Sequence, residues 1–258
     1  MTYYKLNTEV RTLDNNMACF MPNNIKLATE YLYDGVFSYD MGLINWFRNQ
    51  YGNEMKDKVF VDIGTNYGPY LMSLYDIFKH SYGFEPNKHT YNIACANMAL
   101  YDASYKTTLY NCGLSDKVES LKYAYVDEFG GGNMFVKNEE NDVSNTLIHS
   151  LDDYRKDYRH YEYMDVKILD DFNIENIGLI KIDVEGFELN VLKGGENTLK
   201  NSNYPMLIIE SWDVKDDDND EIKRAKTTLR NDLFSYLENL GYKGYDCGAN
   251  NYFFIQNT

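Results

Sequence analysis

Residues 59–68, Val-Phe-Val-Asp-Ile-Gly-Thr-Asn-Tyr-Gly, confine this chain to a narrow set of folds. An apolar run ends in Asp62 and then breaks into Gly64, Asn66 and Gly68 ahead of a helix-like segment. A buried strand followed by a turn of small residues lets a ligand lie against bare backbone. A dinucleotide turn has the spacing G-x-G-x-x-G, with a pyrophosphate at the helix N-terminus. Here the pattern is D-x-G-x-N-x-G, one residue tighter, and no basic residue follows. That suits a ligand with no phosphate to hold. The same turn also serves a tight strand-to-helix junction in any α/β protein.

S-adenosylmethionine is a ligand of that kind. Its ammonium suits a carboxylate such as Asp62, and its carboxylate suits backbone N–H groups. Twenty-one residues after Gly64 comes Glu85, in Tyr82-Gly-Phe-Glu-Pro-Asn87 at the end of a short apolar run. A carboxylate about 20 positions past a glycine turn is placed to accept both hydroxyl protons of a ribose. Glu85 also reads as a helix N-terminal charge, because Pro86 sits where a first turn can begin.

The third segment is Leu179-Ile-Lys-Ile-Asp183-Val-Glu185-Gly-Phe-Glu188, followed by Leu-Asn-Val-Leu192. An apolar strand delivers Asp183 and then Glu185. Residues two apart on a strand share a face, so both carboxylates are expected at the strand's C-terminal end, where open α/β sheets bind ligands. Glu188 falls in the first turn of the helix that follows and reads as structural.

These segments resemble the FkbM family of S-adenosylmethionine-dependent methyltransferases. The resemblance rests on Val61-Asp-Ile-Gly-Thr-Asn-Tyr-Gly68, Gly83-Phe-Glu-Pro86, Gly113-Leu-Ser-Asp116, Pro205-Met-Leu-Ile-Ile-Glu210 and, above all, Lys181-Ile-Asp-Val-Glu-Gly-Phe-Glu188 with Leu192-Lys-Gly194. It runs from about residue 35 to the C-terminus. It implies a class I methyltransferase fold, a Rossmann-like doubly wound α/β sheet, mostly parallel with a C-terminal antiparallel hairpin. It also implies a cofactor site of Asp62, Gly64, Thr65, Asn66, Tyr67, Gly68, Glu85, Pro86, Gly113 and Leu114. Thr65 and Tyr67 depart from the family pattern, which has a small residue and an apolar one at these places. Tyr67 is thereby placed to overlie the cofactor or to narrow the acceptor pocket.

The resemblance implies methyl transfer to a hydroxyl of a sugar, a glycan or a related small molecule. In-line transfer needs two reactants held at near-attack distance. A sugar hydroxyl is a poor nucleophile at neutral pH and needs a base or a metal. Asp183 and Glu185 are the expected pair, acting as base or holding Mg²⁺. His149, in Ser144-Asn-Thr-Leu-Ile-His149, is a further candidate facing the acceptor, though a surface histidine is the plainer reading. Three alternatives stand: a methyltransferase for RNA cap ribose, a non-catalytic partner subunit that holds the cofactor or none, and a nicotinamide oxidoreductase on the same general sheet, which the tight turn disfavours.

Composition narrows these. The 258 residues carry a formal charge of −15, which weighs against nucleic acid as a substrate. No run of about 18 apolar residues is present, so no membrane span is expected. No apolar core follows the first lysine, as a signal peptide would require. Cys19, Cys95, Cys112 and Cys247 form no C-x-x-C pair and are expected reduced and mostly buried, in a cytoplasmic setting (the host's, for a viral chain).

Periodicity gives the layout. Residues 1–50 are expected as an extension packing on the core, with a helix-like apolar stripe over 36–51, and residues 51–258 as the methyltransferase domain. Within it the pattern predicts strand 59–63, helix 68–79, strand 81–85, helix 88–101 and strand 106–111. Residues 112–165 read as an insertion with a hairpin around Gly130-Gly-Gly-Asn133. Then follow a strand near 164–169, the Asp183 strand, helix 187–200, strand 205–211, helix 221–240 and a hairpin of 242–247 with 251–256. Asp213–Glu221 resembles a calcium loop but lacks its glycine and its terminal bidentate Glu, so a solvated loop with a helix cap is expected. His80 and His89 sit near helix ends, where surface is the default.

Overall fold

The structure is a computed structural model. It describes residues 8–12, 18–22, 32–33, 36–37, 40–101, 103–126, 129–136 and 159–257, with side chains from residue 40 onward except at 126, 129–132 and 159. Its centre is a seven-stranded sheet built from β5 (Val59–Ile63), β6 (His80–Phe84), β7 (Thr107–Tyr110), β12 (Ile177–Ile182), β13 (Met206–Glu210), β14 (Tyr242–Gly248) and β15 (Asn251–Gln256). The spatial order is β14-β15-β13-β12-β5-β6-β7. All pairings from β13 across to β7 are parallel, and β15 joins β13 and β14 antiparallel. The order reverses between β5 and β12, the place where such sheets open a crevice at their carboxyl ends.

Alternation along the strands sorts the core into two layers. Phe60, Leu179, Ile208 and Phe253 pack with α1 (Met41–Tyr51), α2 (Pro69–Leu74) and α3 (Lys88–Leu100) through Phe47, Leu71 and Met98. Val61, Ile63, Ile180, Ile182, Leu207 and Ile209 pack with α4 (Glu188–Lys193), α5 (Glu196–Asn201) and α6 (Asp220–Asn239). Helix α1 crosses position 50, the expected junction, and buries Ile44 and Phe47 in the first layer. Of the apolar stripe over 36–51, Val36–Phe37 is instead strand β4, paired with β3 (Leu32–Tyr33). Farther upstream, β1 (Thr8–Thr12) and β2 (Ala18–Pro22) form an antiparallel pair.

A second sheet grows from the insertion, in the order β10-β9-β11-β8. Its strands are β8 (Gly113–Leu114), β9 (Glu119–Val126), β10 (Phe129–Val136) and β11 (Arg159–Lys167). The expected hairpin is present, but the glycines are not its turn. They lie within β10, where the register against β9 shifts between Phe129 and Met134. Glycines inside a strand commonly mark such a bulge.

The predicted helix 187–200 is broken in two. A Cβ at Gly194 would lie 2.0 Å from the Ser115 carbonyl oxygen, so the chain narrows there to admit the β8 loop. Predicted helix 68–79 is α-helical over Pro69–Leu74, starting from a left-handed Gly68 with Pro69 in the first turn. His80 lies in β6, half-buried against the Thr108 hydroxyl at 2.9 Å, and not on a helix surface. Cys112 is buried, Cys95 half-buried and Cys247 exposed, and all three are free thiols. Burial is thus less general than expected. Among the described residues no helix is long and apolar enough to cross a membrane.

Candidate functional site

The turn after β5 is held together from within. Gly64 and Thr65 both donate their N–H to the Phe84 carbonyl at 3.0 Å, Asn66 donates to Glu85 Oε2 at 3.0 Å, and Gly68 donates to the Thr65 carbonyl at 2.9 Å. These N–H groups were expected to receive a ligand carboxylate; they are already engaged. Gly64 is also constrained differently from expectation. Its φ is +78°, and a Cβ there would lie 1.7 Å from the Asp183 carbonyl oxygen. What approaches the bare backbone is the neighbouring strand. Thr65 is buried, with its hydroxyl on the Asp62 carbonyl at 2.9 Å, so it braces the turn.

Strand register then brings charge together at the sheet's carboxyl ends. Lys181 lies beside Asp62 on one side and Ile208 on the other. Two residues on, just past the last paired step of Ile63, Ile182 and Ile209, come Gly64, Asp183 and Glu210. Lys181 Nζ donates to Asp183 Oδ2 at 2.9 Å, and its side chain is 4% exposed. Burial works against the Lys181 charge, but Asp183 and Asp62 overcome it and lift its pKa above the usual lysine value. Asp62 is 1% exposed, and neither carboxylate oxygen has a hydrogen-bond partner. Burial pushes Asp62 up to about 7, with Lys181 opposing and Asp183 adding to the rise. Burial and the charges of Asp183 and Glu185 raise Glu210 well above the carboxylate range, and it shares a hydrogen bond with Asp183.

Glu85 ends β6 as a buried carboxylate. It accepts from Asn87 N–H on Oε1 at 2.9 Å and from Asn66 N–H on Oε2 at 3.0 Å. Burial brings it to about 7 although both N–H groups favour its charge. The helix begins at Asn87, which caps the N–H groups of His89 and Thr90, and not at Pro86. Pro86 and Glu85 are tied by their carbonyls to the Asn111 side chain at 2.9 Å each.

Glu185 departs from its expected geometry. The strand ends at Ile182, and Glu185 adopts a left-handed φ of 54° with Gly186 at 100°. A turn, and not strand alternation, therefore sets its direction. It still lines one pocket with Asp183, Glu210, Trp212, Lys226 and Leu229. Lys226 is paired with Asp218 at 2.7 Å, which leaves this pocket acidic. Glu188 is structural, as read: its Oε1 accepts from Gly186 N–H at 2.9 Å and holds the turn. Among the described residues no three His, Cys, Asp or Glu side chains form a group that could hold a metal ion.

The remaining candidates scatter. His149 lies outside the described residues. Gly113 and Leu114 form β8. A Cβ at Gly113 would lie 2.6 Å from the Phe135 ring, and Leu114 is in the core beneath the sheet. Tyr67 is 8% exposed on the α1–α3 layer, and its hydroxyl feels the Glu85 charge. The would-be calcium loop is a capped loop: Asn219 caps α6, and Asp213 is held by Arg230 at 2.8 Å and Tyr252 at 2.7 Å.

Several residues of the site were not singled out from sequence. Lys181 had a signal, a charge inside a buried apolar run. Glu210 had one too, as the last residue of a buried strand. Asp40 had none. It precedes α1, accepts from the Tyr70 hydroxyl at 2.9 Å and Asn251 at 3.0 Å, and joins α1 and β15 to the carboxylate row.

The profile of the methyltransferase FkbM domain matches residues 62–243. A methyltransferase of Sordaria araneosa, sdnD, is 27% identical over 223 residues, covering 73% of this chain and 76% of its own length. Methyltransferase 1 of Beauveria bassiana is 26% identical over 195 residues, covering 69% and 73%. The crystal structure of the FkbM methyltransferase from Methylobacillus flagellatus has a TM-score of 0.50 at 17% identity; the match covers 89% of this chain and 57% of that one. With the matched profile spanning well over half of its residues, the chain belongs to the FkbM methyltransferase family.

Proposed function

We propose that this methyltransferase uses S-adenosylmethionine to methylate a hydroxyl on a sugar, a glycan or a related small molecule. One observation carries the cofactor reading: a fully buried Asp62 carboxylate with no hydrogen-bond partner, among further carboxylates at the switch point of the sheet. A buried carboxylate whose oxygens accept no hydrogen bond is costly unless a ligand's donors complete it. Lys181 opposes the Asp62 charge but donates to Asp183, so a ligand's ammonium would supply the missing donors. Asp62 would meet the cofactor's ammonium. Glu85 would meet the ribose hydroxyls, since each of its oxygens keeps a lone pair after accepting one N–H. Bound there, the cofactor supplies a methyl group on a sulfonium.

The chain's own residues do the rest. Lys181 donates to Asp183 and fixes its carboxylate. Burial and its neighbours raise the pKa of Glu210, which shares a hydrogen bond with Asp183, and Asp183 and Glu185 are the carboxylates that would accept the proton of the attacking hydroxyl. Trp212 and Leu229 put an apolar edge beside the carboxylates of this small pocket, where an acceptor would approach. A phosphate-rich acceptor such as capped RNA would meet like charge here, in a chain of net charge −15.

S-adenosylhomocysteine is expected to raise the thermal midpoint, because a ligand that binds only the native state stabilises it. Glu85→Gln should weaken its binding by about 1–3 kcal/mol, measured by calorimetry. Unchanged affinity would take Glu85 out of the site. A screen of nucleotide sugars, oligosaccharides and capped RNA for methyl acceptance tests the acceptor class, and methylation of capped RNA alone would overturn it. Activity should persist in EDTA. Loss with recovery on added Mg²⁺ would instead make Asp183 and Glu185 a metal site.

A further inference from the structure

Asn251 opens β15 at the carboxylate end of the sheet and is 3% exposed. Its amide nitrogen donates to Asp40 Oδ1 at 3.0 Å and to the Ala249 carbonyl at 3.2 Å. Both partners are acceptors, so turning the amide end for end would set oxygen against oxygen. The other branch of the amide is therefore the oxygen. That Oδ1 is buried and has no hydrogen-bond partner. The two bonds explain the nitrogen and leave the oxygen unexplained. A buried acceptor left unsatisfied is unfavourable, as it is for Asp62 on β5.

The strands put this oxygen beside the chemistry. Asn251 pairs with Glu210, and Glu210 shares a hydrogen bond with Asp183. The three residues thus follow one another across β15, β13 and β12. Neighbouring strands are about 4.8 Å apart, so Asn251 stands roughly 10 Å from Asp183. Two positions past Asn251, Phe253 packs in the α1–α3 layer, which puts Asn251 on the face that carries Asp62 and Lys181. Asp62 is on β5, on the opposite side of β12. A cofactor held by Asp62 and Glu85 lies over β5 and β6 and leaves the ends of β13 and β15 to the acceptor. Asp40, which also accepts from Tyr70, fixes the Asn251 amide from the start of α1.

We propose that Asn251 recognises the acceptor, its Oδ1 accepting a hydrogen bond from a second hydroxyl of the molecule whose first hydroxyl is methylated at Asp183. This rests on the reading that the site methylates a hydroxyl of a sugar or related small molecule. A pyranose carries hydroxyls on well-separated carbons, and with a hydrogen bond at each end it spans from Asp183 to Asn251. An amide oxygen selects a donor: a hydroxyl or an N–H satisfies it, whereas an ether or an already methylated oxygen does not. A site built to bond a hydroxyl rejects the analogue that lacks it, because the protein's own buried atom is then left unpaired. By holding one hydroxyl, Asn251 selects which other one faces the methyl group.

Steady-state methylation of the methyl glycosides of glucose, galactose and mannose, and of their monodeoxy analogues, tests this in wild type and Asn251→Ala. In the wild type, removing one hydroxyl other than the methylated one should raise KM roughly 5- to 10-fold, the scale of one hydrogen bond to a buried partner. Asn251→Ala should show that rise already with the intact glycoside, and should no longer prefer it to that analogue. A purely structural Asn251 would instead lower turnover and the thermal midpoint and keep the preference. A preference retained in Asn251→Ala would overturn the proposal. So would a wild type indifferent to the loss of every hydroxyl but the methylated one, a result that needs no variant and leaves the oxygen to a bound water. If the wild type methylated none of these glycosides, the acceptor reading itself would fail, and this proposal with it.

Discussion

The two faces of the central sheet differ in what their alternating positions hold. Toward α4–α6 the three central strands present only apolar residues in their buried stretch: Val61 and Ile63, Ile180 and Ile182, Leu207 and Ile209. Toward α1–α3 the same strands present Phe60, Leu179 and Ile208, then Asp62 and Lys181 in the same column. The first face follows from the burial of apolar surface alone. The second gives up that gain at two positions and keeps buried ions, which stabilise little even when paired. A fold does not need this arrangement. The interruption of an otherwise continuous apolar layer marks where the chain's chemistry sits, and it points at the row of Asp183, Glu210 and Asn251 on the next step of the sheet.

Substitutions on the two faces should separate stability from function. Asp183→Asn keeps shape and can still accept from Lys181, but it removes basicity. Turnover should fall by about 10²–10⁴, the usual scale for a positioned base, with affinity for S-adenosylhomocysteine nearly unchanged. Ile180→Ala, on the opposite face, should cost about 2–5 kcal/mol of stability in denaturant titration and leave the turnover of folded enzyme intact. Full turnover in Asp183→Asn would break the contrast. Lys181→Met sharpens it. Removing the cation leaves Asp62 and Asp183 buried together, and a loss of about 3–5 kcal/mol is expected. Adding Asp62→Asn should restore part of that loss. No restoration would mean that the two residues do not share a field.

Much of the sheet was legible because burial and alternation act locally. Strand 59–63 appears at its expected bounds, and β13 and the last hairpin within a residue. The argument failed where a residue's direction depends on something other than period. Glu185 lies three positions past the end of β12, where a left-handed backbone redirects it. Gly64 looked like room for a ligand because sequence does not show the Asp183 carbonyl beside it. Glu188 was legible as a first-turn acid, but its partner, the Gly186 N–H, is specified by the turn. The inserted sheet is a matter of long-range pairing: Tyr123 of β9 faces Glu162 of β11, 39 residues on.

The last contrast tests the charged face without an acceptor. Asp62, Glu85 and Glu188 each sit near 7 in the folded chain because burial penalises their charge. In the unfolded chain carboxylates titrate near 4. The folded form therefore binds more protons between those values. The contribution is fully present below about pH 4, is lost as pH rises toward 7, and changes little beyond. Ligand-free protein should show a thermal midpoint that falls by several degrees from pH 5 to pH 8. S-adenosylmethionine, by favouring ionised Asp62, should flatten that slope and release protons, read as a dependence of binding enthalpy on the buffer. Asp62→Asn should flatten the slope without ligand, because it removes one of the three groups and leaves Lys181 on Asp183. Ile180→Ala should lower the curve and keep its shape. A midpoint that rises across this window, or an unchanged slope in Asp62→Asn, would show that Asp62 is already ionised and matched in the folded chain. The polar face would then be a settled ion network, and not one waiting for a cation.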